Sequence, residues 1–534
     1  MSRIIGIDLG TTNSCVAVLD DDGLLEVLCD ETGARITPSV VAYTSHGQVL
    51  VGKTAERQAI TNAENTVTGA KRLIGRKVNA ADVAWFARNA PFRIVAAPNG
   101  DAWVRIDKEA KSPQEIASHI LARKRAIAET ALGEPVTRAV VTVPAYFNEA
   151  QRQATRDAGT IAGLDIVRIL NEPTAAALAY GAHRVKKGRR VIAVFDLGGG
   201  TFDISIMAVE NGIFEVLATS GDSALGGDDW DGKVVERLAD EIFDRHRVDV
   251  TTNSVAVGRL KEAAEQAKKE LSEASKTFMR LPYLAVTDSN EQIHFERELT
   301  RDEFEALTAP LRDRLVGPCE RAMTDAGLSP RDIEEVLLCG GMTRSPAIQE
   351  AVERIFQRKP SKGANPDEVV ALGAASYGGI LAGTVDDAAL LDVTPHDIGI
   401  KIGDSGFAVM IKRNSMLPVR ARRVFATTRD DQNYVNIEVY QGSSAEIAGN
   451  RRLGNITLEE LPPGKAGSVR IELIMTLDVE SLLSVTVREK STSKQARVEI
   501  RPTGGLSRKE LIEIIARRRE ENRDPAKRGP SPKE

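Results

Sequence analysis

The sequence predicts an α/β protein over its first three quarters, followed by an all-β sandwich and a single helix. Strand-like and helix-like segments alternate over residues 1 to about 380, which is typical of α/β organisation. From Thr394 to about Thr503 the apolar residues recur at every second position, between clusters of turn residues. A linker near residue 381 separates the two patterns, so we expect two differently built parts.

Two short segments of the α/β part have nearly the same sequence. The first reads Ile-Gly-Ile-Asp-Leu-Gly-Thr-Thr-Asn-Ser and contains Asp8. The second reads Val-Phe-Asp-Leu-Gly-Gly-Gly-Thr-Phe-Asp and contains Asp196. An alternating apolar run follows each segment, so the pattern predicts a strand, a tight turn and a second strand at both places.

These two turns have the chemistry of a phosphate-binding site. Glycines let the backbone come close to a ligand, and successive amide N–H groups of such a turn form an anion-binding nest. The hydroxyl groups of Thr11, Thr12 and Thr201 add donors for phosphate oxygens. Asp8 and Asp196 can hold Mg²⁺ through water, because Mg²⁺ gives up its hydration shell reluctantly. The duplication suggests two lobes that clamp one nucleotide polyphosphate.

The composition limits the class of the protein. A chain of 534 residues is expected to form roughly three or four domains, and a hydrophobic fraction of 42% is ample for buried cores. The net charge of −5 disfavours a general binder of nucleic acid or of anionic membranes. We expect no signal peptide in the first 30 residues, and no apolar stretch approaches the roughly 20 residues of a membrane helix.

The cysteines favour a reducing compartment. Cys15, Cys29, Cys319 and Cys339 are far apart and form no Cys-x-x-Cys motif, so a cytoplasmic location is the simplest interpretation. Cys15 lies beside the first phosphate turn, where a redox-sensitive thiol is one interpretation and a small core residue is the favoured one. The 6 histidines have no metal-ligand spacing.

Residue chemistry predicts the bounds of several elements in the α/β part. A strand over Ala139–Val143 is ended by Pro144, and a helix over Asn148–Gly163 is capped by its first residue and stopped by its last. A long polar helix with one apolar face is expected over Arg259–Lys276. The remaining predictions are a helix over Ala175–Tyr180, a strand over Val336–Leu338 and, after a glycine turn, a helix over Ser345–Phe356.

Period-two runs and turn clusters predict the strands of the all-β part. They are Gly399–Ile402, Ala408–Ile411, Tyr434–Tyr440, Val469–Met475 and Leu483–Val487. A helix follows from Ser507 to about Arg519, with Glu510 completing a capping box. We therefore predict an α/β domain over 1–380, a linker over 381–393, the sandwich over 394–503, a short helix over 504–522 and a disordered tail over 523–534.

Four motifs identify a family. Besides the two phosphate turns, they are Asn-Glu-Pro-Thr-Ala-Ala-Ala-Leu-Ala-Tyr-Gly over residues 171–181 and Leu-Asp-Val-Thr-Pro over residues 391–395. Together they closely resemble the seventy-kilodalton heat-shock chaperone family, and the bacterial, DnaK-like form is the nearest likeness. The motifs are long and in the family's order, and the resemblance covers about residues 3–520, more weakly in the β-rich part.

The resemblance implies a two-lobed, actin-like ATPase domain that a short linker joins to a peptide-binding β-sandwich. Asp8 and Asp196 would hold Mg²⁺ through water beside ATP or ADP, and K⁺ is a further candidate ion. Lys71 matches the family's catalytic lysine, and two carboxylates match positions near the attacking water. The implied catalytic residues are Lys71, Glu172, Asp196, Thr201 and Asp203.

The same resemblance implies a nucleotide pocket between the turns and a long helix. Its residues are Gly10, Thr11, Thr12, Asn13, Gly198, Gly199, Gly200, Thr201, Glu265, Lys268, Lys269, Ser272, Gly340, Gly341, Arg344 and Asp367. Hydrolysis of a phosphoanhydride depends mostly on positioning and charge stabilisation, which these residue types supply. Without the family context, a lone Lys71 is more often a surface charge and the polar helix a solvated face.

Communication between the domains is also implied by the resemblance. The matching residues are Pro144, Arg152, Arg168, Asn171 and Asp392. For Asp392, a solvated loop acid is the alternative role. The implied partners are unfolded or extended polypeptides, a J-domain co-chaperone and a nucleotide-exchange factor of the GrpE type, in protein folding and the stress response, with no nucleic acid and no membrane.

Alignment to the family places six apolar residues in the peptide-binding cleft of the sandwich. They are Ile400, Ile402, Phe425, Val435, Ile437 and Ile471. Apolar residues suit an extended segment that is held partly by backbone hydrogen bonds. Plain sandwich core is the alternative role, because inward alternating residues are required in any sandwich.

Three departures from the family pattern affect the peptide-binding part. Gly403 and Thr428 stand where the family commonly arches a methionine and a small residue over the peptide. Residues 477–482 read Leu-Asp-Val-Glu-Ser-Leu in place of an Asp-x-Asp-Gly turn. The family's helical lid is expected to be missing except for the helix over 504–522, and weak, fast peptide exchange is the expected consequence.

The sequence therefore predicts an ATP-driven chaperone with slow hydrolysis as its timer. Two other functions stay open. An actin-like small-molecule kinase shares the nucleotide cleft but needs a second substrate pocket with a base. A nucleotide-gated adaptor for one dedicated protein partner would lack general peptide binding. Gly403, Thr428 and the expected absence of the lid are consistent with this alternative.

Overall fold

The computed structural model describes residues 3–181, 188–287, 290–361, 365–385, 389–500 and 505–523. Strands and helices alternate through the first of these ranges, and two antiparallel sheets follow after residue 398. Across these ranges, no helix has both the length and the apolar character that a membrane crossing requires.

The first lobe is built around a mixed sheet. Its strands follow the order β12-β11-β1-β2-β3, and β4 pairs with β2. The elements over residues 4–181 are β1 (Ile4–Leu9), β2 (Asn13–Leu19), β3 (Leu25–Val27), β4 (Ile36–Pro38), β5 (Val40–Tyr43), β6 (Val49–Val51), α1 (Lys53–Gln58), β7 (Thr66–Thr68), α2 (Ala81–Arg88), β8 (Arg93–Ala96), β9 (Ala102–Ile106), β10 (Glu109–Lys111), α3 (Pro113–Leu132), β11 (Arg138–Val143), α4 (Glu149–Ile161), β12 (Asp165–Asn171) and α5 (Glu172–Gly181).

The second lobe has a mixed sheet with the strand order β18-β13-β14-β15-β19. The elements that follow α5 are β13 (Arg190–Leu197), β14 (Phe202–Glu210), β15 (Ile213–Asp222), α6 (Gly227–His246), α7 (Ser254–Leu271), β16 (Lys276–Val286), β17 (Gln292–Thr300), α8 (Arg301–Leu307), α9 (Ala309–Asp313), α10 (Val316–Asp325), β18 (Glu335–Cys339), α11 (Pro346–Phe356), α12 (Val369–Ala382) and β19 (Ala389–Leu391). Helix α12 returns to the first lobe, where it packs on β1, β2 and α5.

The two lobes contain the same strand unit. In each, an antiparallel hairpin carries the phosphate turn, as β1–β2 in one lobe and β13–β14 in the other. Each hairpin also has a parallel neighbour, which is β11 beside β1 and β18 beside β13. The strand, turn and strand predicted at both places are therefore confirmed, and Asp8 and Asp196 lie near the ends of matching strands.

Helix caps explain which predicted bounds are correct. Asn148 caps α4 in a capping box with Gln151, and Gly163 follows the helix with a left-handed backbone, as predicted. The helix predicted over 259–276 is wrong in both bounds. Asn253 accepts hydrogen bonds from the first-turn amides of α7 and starts it at Ser254, and Lys276 already begins β16.

The all-β part is a sandwich of two four-stranded antiparallel sheets. The strand orders are β21-β20-β23-β24 and β22-β25-β26-β27. The five predicted runs coincide with strands to within two residues at either end, and the other three strands are additions. The strands are β20 (Ile398–Ile402), β21 (Gly406–Ile411), β22 (Val419–Ala426), β23 (Tyr434–Gln441), β24 (Arg451–Glu459), β25 (Arg470–Leu477), β26 (Leu483–Glu489) and β27 (Gln495–Ile500).

The predicted linker and the carboxyl-terminal helix both contact the α/β part. Within the linker, Ala389–Leu391 is strand β19 on the second lobe's sheet, while residues 386–388 lie outside the described residues. Helix α13 (Arg508–Arg523) starts with the predicted capping box of Ser507 and Glu510. Of the predicted tail, residues 524–534 lie outside the described residues.

Candidate functional site

A cavity of about 620 Å³ is lined by residues from both lobes. Both phosphate turns, the carboxyl-terminal half of α7 and the turn after β18 contribute to its wall. The predicted site residues that line it are Asp8, Gly10, Thr11, Thr12, Asn13, Lys71, Glu172, Asp196, Gly198, Gly199, Thr201, Glu265, Lys268, Lys269, Ser272, Gly340, Gly341, Arg344 and Asp367. The structure thus brings most of the predicted nucleotide site together around one space.

The two phosphate turns lie directly against each other. A Cβ atom on Gly199 would stand 1.9 Å from the Thr12 hydroxyl oxygen, and one on Gly200 would stand 2.7 Å from that of Thr11. No side chain fits at either position, because real Cβ contacts are longer than this. The backbone amides of one turn and the hydroxyl groups of the other are therefore held close enough to act on a single anion.

One ion pair stands among the carboxylates of the cleft. The Lys71 ammonium lies 2.6 Å from a carboxylate oxygen of Glu172, and both side chains are buried. The Thr142 hydroxyl donates a hydrogen bond of 3.0 Å to Asp8 from the neighbouring parallel strand. Lys71 therefore has a fixed place at the cavity wall and is not the surface charge that an isolated lysine would suggest.

The electrostatics of the cleft favour a bound cation. Burial, with repulsion from Glu172, raises the pKa of Asp8 and the pKa of Asp203 to about 7. The same two causes raise the pKa of Asp196 well above its usual value. Four carboxyl groups share this region with Lys71, so the donor set suits a hard divalent cation. Among the described residues, no three His, Cys, Asp or Glu side chains converge to bind a metal directly.

Two predicted residues lie behind the cavity wall. Within the part of the chain that the structure describes, Gly200 and Asp203 do not line the cavity. Asp203 is paired with Asp196 across the β13–β14 hairpin and accepts a hydrogen bond of 2.8 Å from the Tyr146 backbone amide. Its carboxyl group is therefore positioned through the backbone that follows β11.

Helix α7 presents polar side chains to the opposite side of the cavity. Lys268 donates hydrogen bonds to Asp231, at 2.7 Å, and to the Gly227 carbonyl, at 3.0 Å. Lys269 forms an ion pair of 2.7 Å with Glu265. Across from them, Arg344 and Asp367 form an ion pair of 2.6 Å beyond β18. These pairs hold charged side chains at the wall in defined positions.

Arg72 is a functional candidate that the sequence analysis missed. Its buried guanidinium lies 2.6 Å from Asp229 and 3.2 Å from Asp228, and it donates a hydrogen bond of 3.2 Å to the Gly199 carbonyl. It ties the first lobe to the second phosphate turn. Its position next to Lys71 in the sequence was the available signal.

The comparison with known families agrees with this geometry. A sequence model described as Hsp70 protein matches residues 4–530. The chain belongs to the Hsp70 family. In general terms the family is one of ATP-dependent chaperones that hydrolyse ATP, use ATP and ADP with Mg²⁺, and act on unfolded polypeptides together with co-chaperones.

Three of the five residues that the resemblance implied for coupling form a chain of hydrogen bonds. Arg152 donates a hydrogen bond of 2.7 Å to Asn171, which donates one of 2.9 Å to Asp392 in the linker. Arg168 lies over the Tyr377 ring at 5.8 Å, and Pro144 is buried at the end of β11. Asp392 is half-buried and accepts the Asn171 hydrogen bond, so this linker acid is not a fully solvated loop residue in the structure, and burial raises its pKa.

The predicted peptide-binding residues lie in different environments. Ile400, Ile437 and Ile471 are buried in the sandwich core, and Phe425 and Val435 pack partly buried against it. Ile402 is 47% exposed at the end of β20. Of the two substituted positions that the sequence comparison with the family singled out, Gly403 is in the left-handed turn after β20, and the Thr428 amide is hydrogen-bonded to Gln432.

Proposed function

We propose that this Hsp70 chain binds ATP in the cavity between its lobes and hydrolyses it slowly to control how the sandwich holds extended hydrophobic segments of unfolded proteins. One contact supports the coupling most directly. Asp392 of the linker is hydrogen-bonded to Asn171, and the next residue, Glu172, is paired with Lys71 in the cleft. A movement of the linker would therefore act on the backbone that carries Glu172.

The proposed chemistry follows from the wall of the cavity. The two turns bind the phosphates through amides and hydroxyl groups, and Asp8 and Asp196 hold Mg²⁺ through water, with K⁺ as a further candidate ion. Mg²⁺ supplies charge neutralisation on the phosphates. Lys71, Glu172 and Asp203 orient the attacking water and offset developing negative charge. The absence of a direct three-ligand cluster among the described residues is compatible with a water-mediated site.

The remaining assignments complete the proposed cycle. The polar side chains of α7 and the Arg344–Asp367 pair contact the nucleoside. The hairpin that is repeated in the two lobes supports the assignment of an actin-like arrangement. The sandwich that follows the linker supports the assignment of a peptide-binding domain. We further propose a J-domain co-chaperone and an exchange factor of the GrpE type as partners. A cytoplasmic location is supported by four free cysteines in the described residues.

A second candidate function is a nucleotide-gated adaptor for one dedicated protein. It is favoured by the burial of Ile400, Ile437 and Ile471, since core side chains are not available to a peptide in this arrangement. Ile402 alone among the six is largely exposed. The adaptor would keep the ATPase cycle and the coupling chain but would not respond to general hydrophobic peptides.

Single-turnover ATP hydrolysis with and without an extended, leucine-rich peptide tests both candidates. For the chaperone, we expect slow hydrolysis that the peptide accelerates. Lys71→Ala is expected to reduce the rate by at least about a hundredfold, because it removes a preorganised charge from the reacting phosphate. Hydrolysis that ignores the peptide but still requires Lys71 would favour the adaptor.

The matched control is Lys53→Ala. Lys53 is exposed in α1 and pairs with Glu56 one turn away, so its removal changes one surface charge without touching the cavity. Its hydrolysis rate is expected to equal that of the wild type. Equal rates for Lys71→Ala and Lys53→Ala would contradict the proposed catalytic role.

A further inference from the structure

The outer face of the sheet β22-β25-β26-β27 carries a cluster of arginines that the proposed cycle does not use. The sheet register aligns outward residues across the strands, pairing Arg420 with Thr476, Arg422 with Ile474 and Arg488 with Glu472. On the edge strand β27, Arg497 is paired with Thr486 of β26. Thr486 is in turn paired with Ile474 of β25, so Arg497 lies on the same outer face.

We call the surface formed by Arg420, Arg422, Arg488 and Arg497 the arginine face.

A pocket of about 390 Å³ opens on this surface. Its lining residues are Arg420, Arg422, Glu472, Ile474 and Arg488. Glu472 is fully buried and accepts hydrogen bonds of 2.5 Å from the Arg422 Nε atom and from an Arg488 Nη atom. One carboxylate therefore fixes two guanidinium groups in place and leaves the pair with a net positive charge.

The charges of the other two arginines are not neutralised by an ion pair within the described residues. Within the described ranges, neither Arg420 nor Arg497 has an ion-pair or hydrogen-bond partner through its side chain, and both are exposed. The acids on the same outer face are Glu472, which is already engaged, and Glu499, which is paired with Ser484 in the register. The face is thus positive although the whole chain has a net charge of −5.

Apolar surface lies among these charges. Ile474 lines the pocket between the arginines, and Val424, two residues along β22 from Arg422, is 43% exposed. Guanidinium groups recognise carboxylates by paired hydrogen bonds, and their flat faces also tolerate apolar neighbours. The complementary ligand is therefore an extended segment with carboxylates on either side of an apolar side chain.

We propose that the arginine face binds an acidic, extended segment of another protein. This surface lies on the opposite side of β22 and β25 from the sandwich core, so binding here does not require the proposed peptide cleft or ATP hydrolysis. Each exposed ion pair contributes little by itself, so several must form together and the affinity must fall as salt screens them.

A fluorescent peptide, Glu-Glu-Leu-Glu-Glu, is the probe, and fluorescence anisotropy with the full chain is the measurement. We expect saturable binding that weakens at high salt, and binding at least about tenfold weaker for Gln-Gln-Leu-Gln-Gln. Equal binding of the two peptides would overturn the proposal. So would equal competition by a single-stranded oligonucleotide, because the face would then bind any polyanion.

The test variant is Arg420→Glu combined with Arg497→Glu. Neither residue holds Glu472, so the buried carboxylate keeps both its partners, and thermal denaturation checks that the fold is kept. We expect at least about a tenfold loss of affinity for the acidic probe. Arg420→Gln alone should give a smaller loss in the same direction, which keeps the test valid if the double variant unfolds.

Arg423→Glu is the matched control for Arg420→Glu alone, because each reverses one charge on the same strand and the register partner of Arg423 is Leu473 in the core. Its affinity for the probe is expected to stay within about twofold of the wild type. An equal loss in the control and in the test variant would contradict a site on this face. Light scattering that shows a dimer of wild type, lost in the test variant, would instead assign the face to contact between copies.

Discussion

Buried charges hold the two lobes around the cleft. Arg72 is paired with Asp228 and Asp229 of the second lobe and reaches the second phosphate turn through Gly199. Removal of one partner from a buried pair leaves the other charges without compensation in a poorly solvated place. The residue that closes the cleft is therefore also one on which the stability of the fold depends.

Arg72→Ala is expected to destabilise the protein by about 3–5 kcal/mol, because it leaves two acids unpaired. Lys233→Ala is the control, since it removes a partly exposed lysine that pairs with Glu236 on the same helix, α6. The control should lose about 0.5 kcal/mol or less. Urea denaturation measures both, and equal midpoints for the two variants would contradict the account.

Thiol reactivity distinguishes the two interpretations of Cys15. Burial raises the pKa of Cys15 to about 12 and raises the pKa values of Cys319 and Cys339 as well, whereas Cys29 is exposed. Thiolates are the reactive species, so we expect one fast-reacting thiol in the native chain and four after unfolding. Titration with a colorimetric disulfide reagent measures this. A fast-reacting thiol that persists in Cys29→Ser would instead support a redox role for Cys15.

Close helix packing in the ATPase part depends on glycines. A Cβ on Gly373 of α12 would stand 1.7 Å from the Ala175 carbonyl oxygen of α5, so the two helices are in backbone contact. Gly258 of α7 has no atom nearer than 4.0 Å to such a Cβ. The same substitution should therefore have opposite effects in the two helices.

Gly373→Ala is expected to destabilise the protein by about 1–3 kcal/mol through overpacking. Gly258→Ala is expected to stabilise it by up to about 1 kcal/mol, because alanine favours a helix and restricts the unfolded chain. Thermal denaturation of both variants gives the comparison. A loss of stability in Gly258→Ala equal to that in Gly373→Ala would show that the packing is not as described.

Local sequence chemistry predicted the elements whose bounds depend on neighbouring residues. The phosphate turns and the Asn148 cap belong to this class, because each requires particular residue types within a few positions. The predicted start of α7 is wrong because Asn253, which caps the helix, precedes the apolar residues from which the helix was predicted. Strand β22 was absent from the predicted runs because outward arginines such as Arg420 and Arg422 hide its alternation.

Contacts between distant segments could not be derived from such patterns. Arg72 meets Asp229 across 157 residues of chain, and Asn171 meets Asp392 across 221. Family resemblance supplied Asn171 and Asp392 but not Arg72. The burial of Ile400 and the exposure of Ile402, two residues apart on one strand, likewise depend on where the sandwich ends rather than on residue type.

On the scale of the whole molecule, the sandwich and α13 are in contact with the ATPase part. His396 is hydrogen-bonded to the Tyr146 carbonyl at 3.1 Å, and Arg413 forms an ion pair of 2.8 Å with Asp325. Arg517 of α13 forms an ion pair of 2.6 Å with Glu115 of α3. These contacts define a docked arrangement, which the proposed cycle would place at its ATP-bound stage.

Docking should depend on pH through Glu149. Burial raises the pKa of Glu149 to about 8 in the docked arrangement, although attraction to Arg152 and Arg156 lowers it. Repulsion from Asp478 and Glu480 of the sandwich raises it by a smaller amount. An undocked, solvated Glu149 has its usual pKa near 4.5. The docked form therefore binds the extra proton at Glu149, so this group weakens docking as pH rises from about 4.5 to about 8. Burial lowers the pKa of His396 from 6.5 to about 4, so His396 has the opposite effect below about pH 6.5, and the net weakening is expected between about pH 6.5 and 8.

Small-angle scattering of the ATP-bound chain measures this dependence as an increase in the radius of gyration towards pH 8. Glu149→Gln should remove most of the increase, because its side chain stays neutral at every pH. Glu459→Gln, an exposed acid at the end of β24, is the control and should behave as the wild type. An unchanged pH response in Glu149→Gln would assign the effect to other groups.

In the proposed cycle, the linker transmits the state of the sandwich to the nucleotide cavity through Asp392, Asn171 and Glu172. Peptide stimulation of single-turnover hydrolysis in Asp392→Ala tests it most directly, with Glu459→Ala as the control. We expect that peptide accelerates hydrolysis in the wild type and in the control, while Asp392→Ala shows little or no acceleration. Stimulation of Asp392→Ala to the wild-type extent would contradict it.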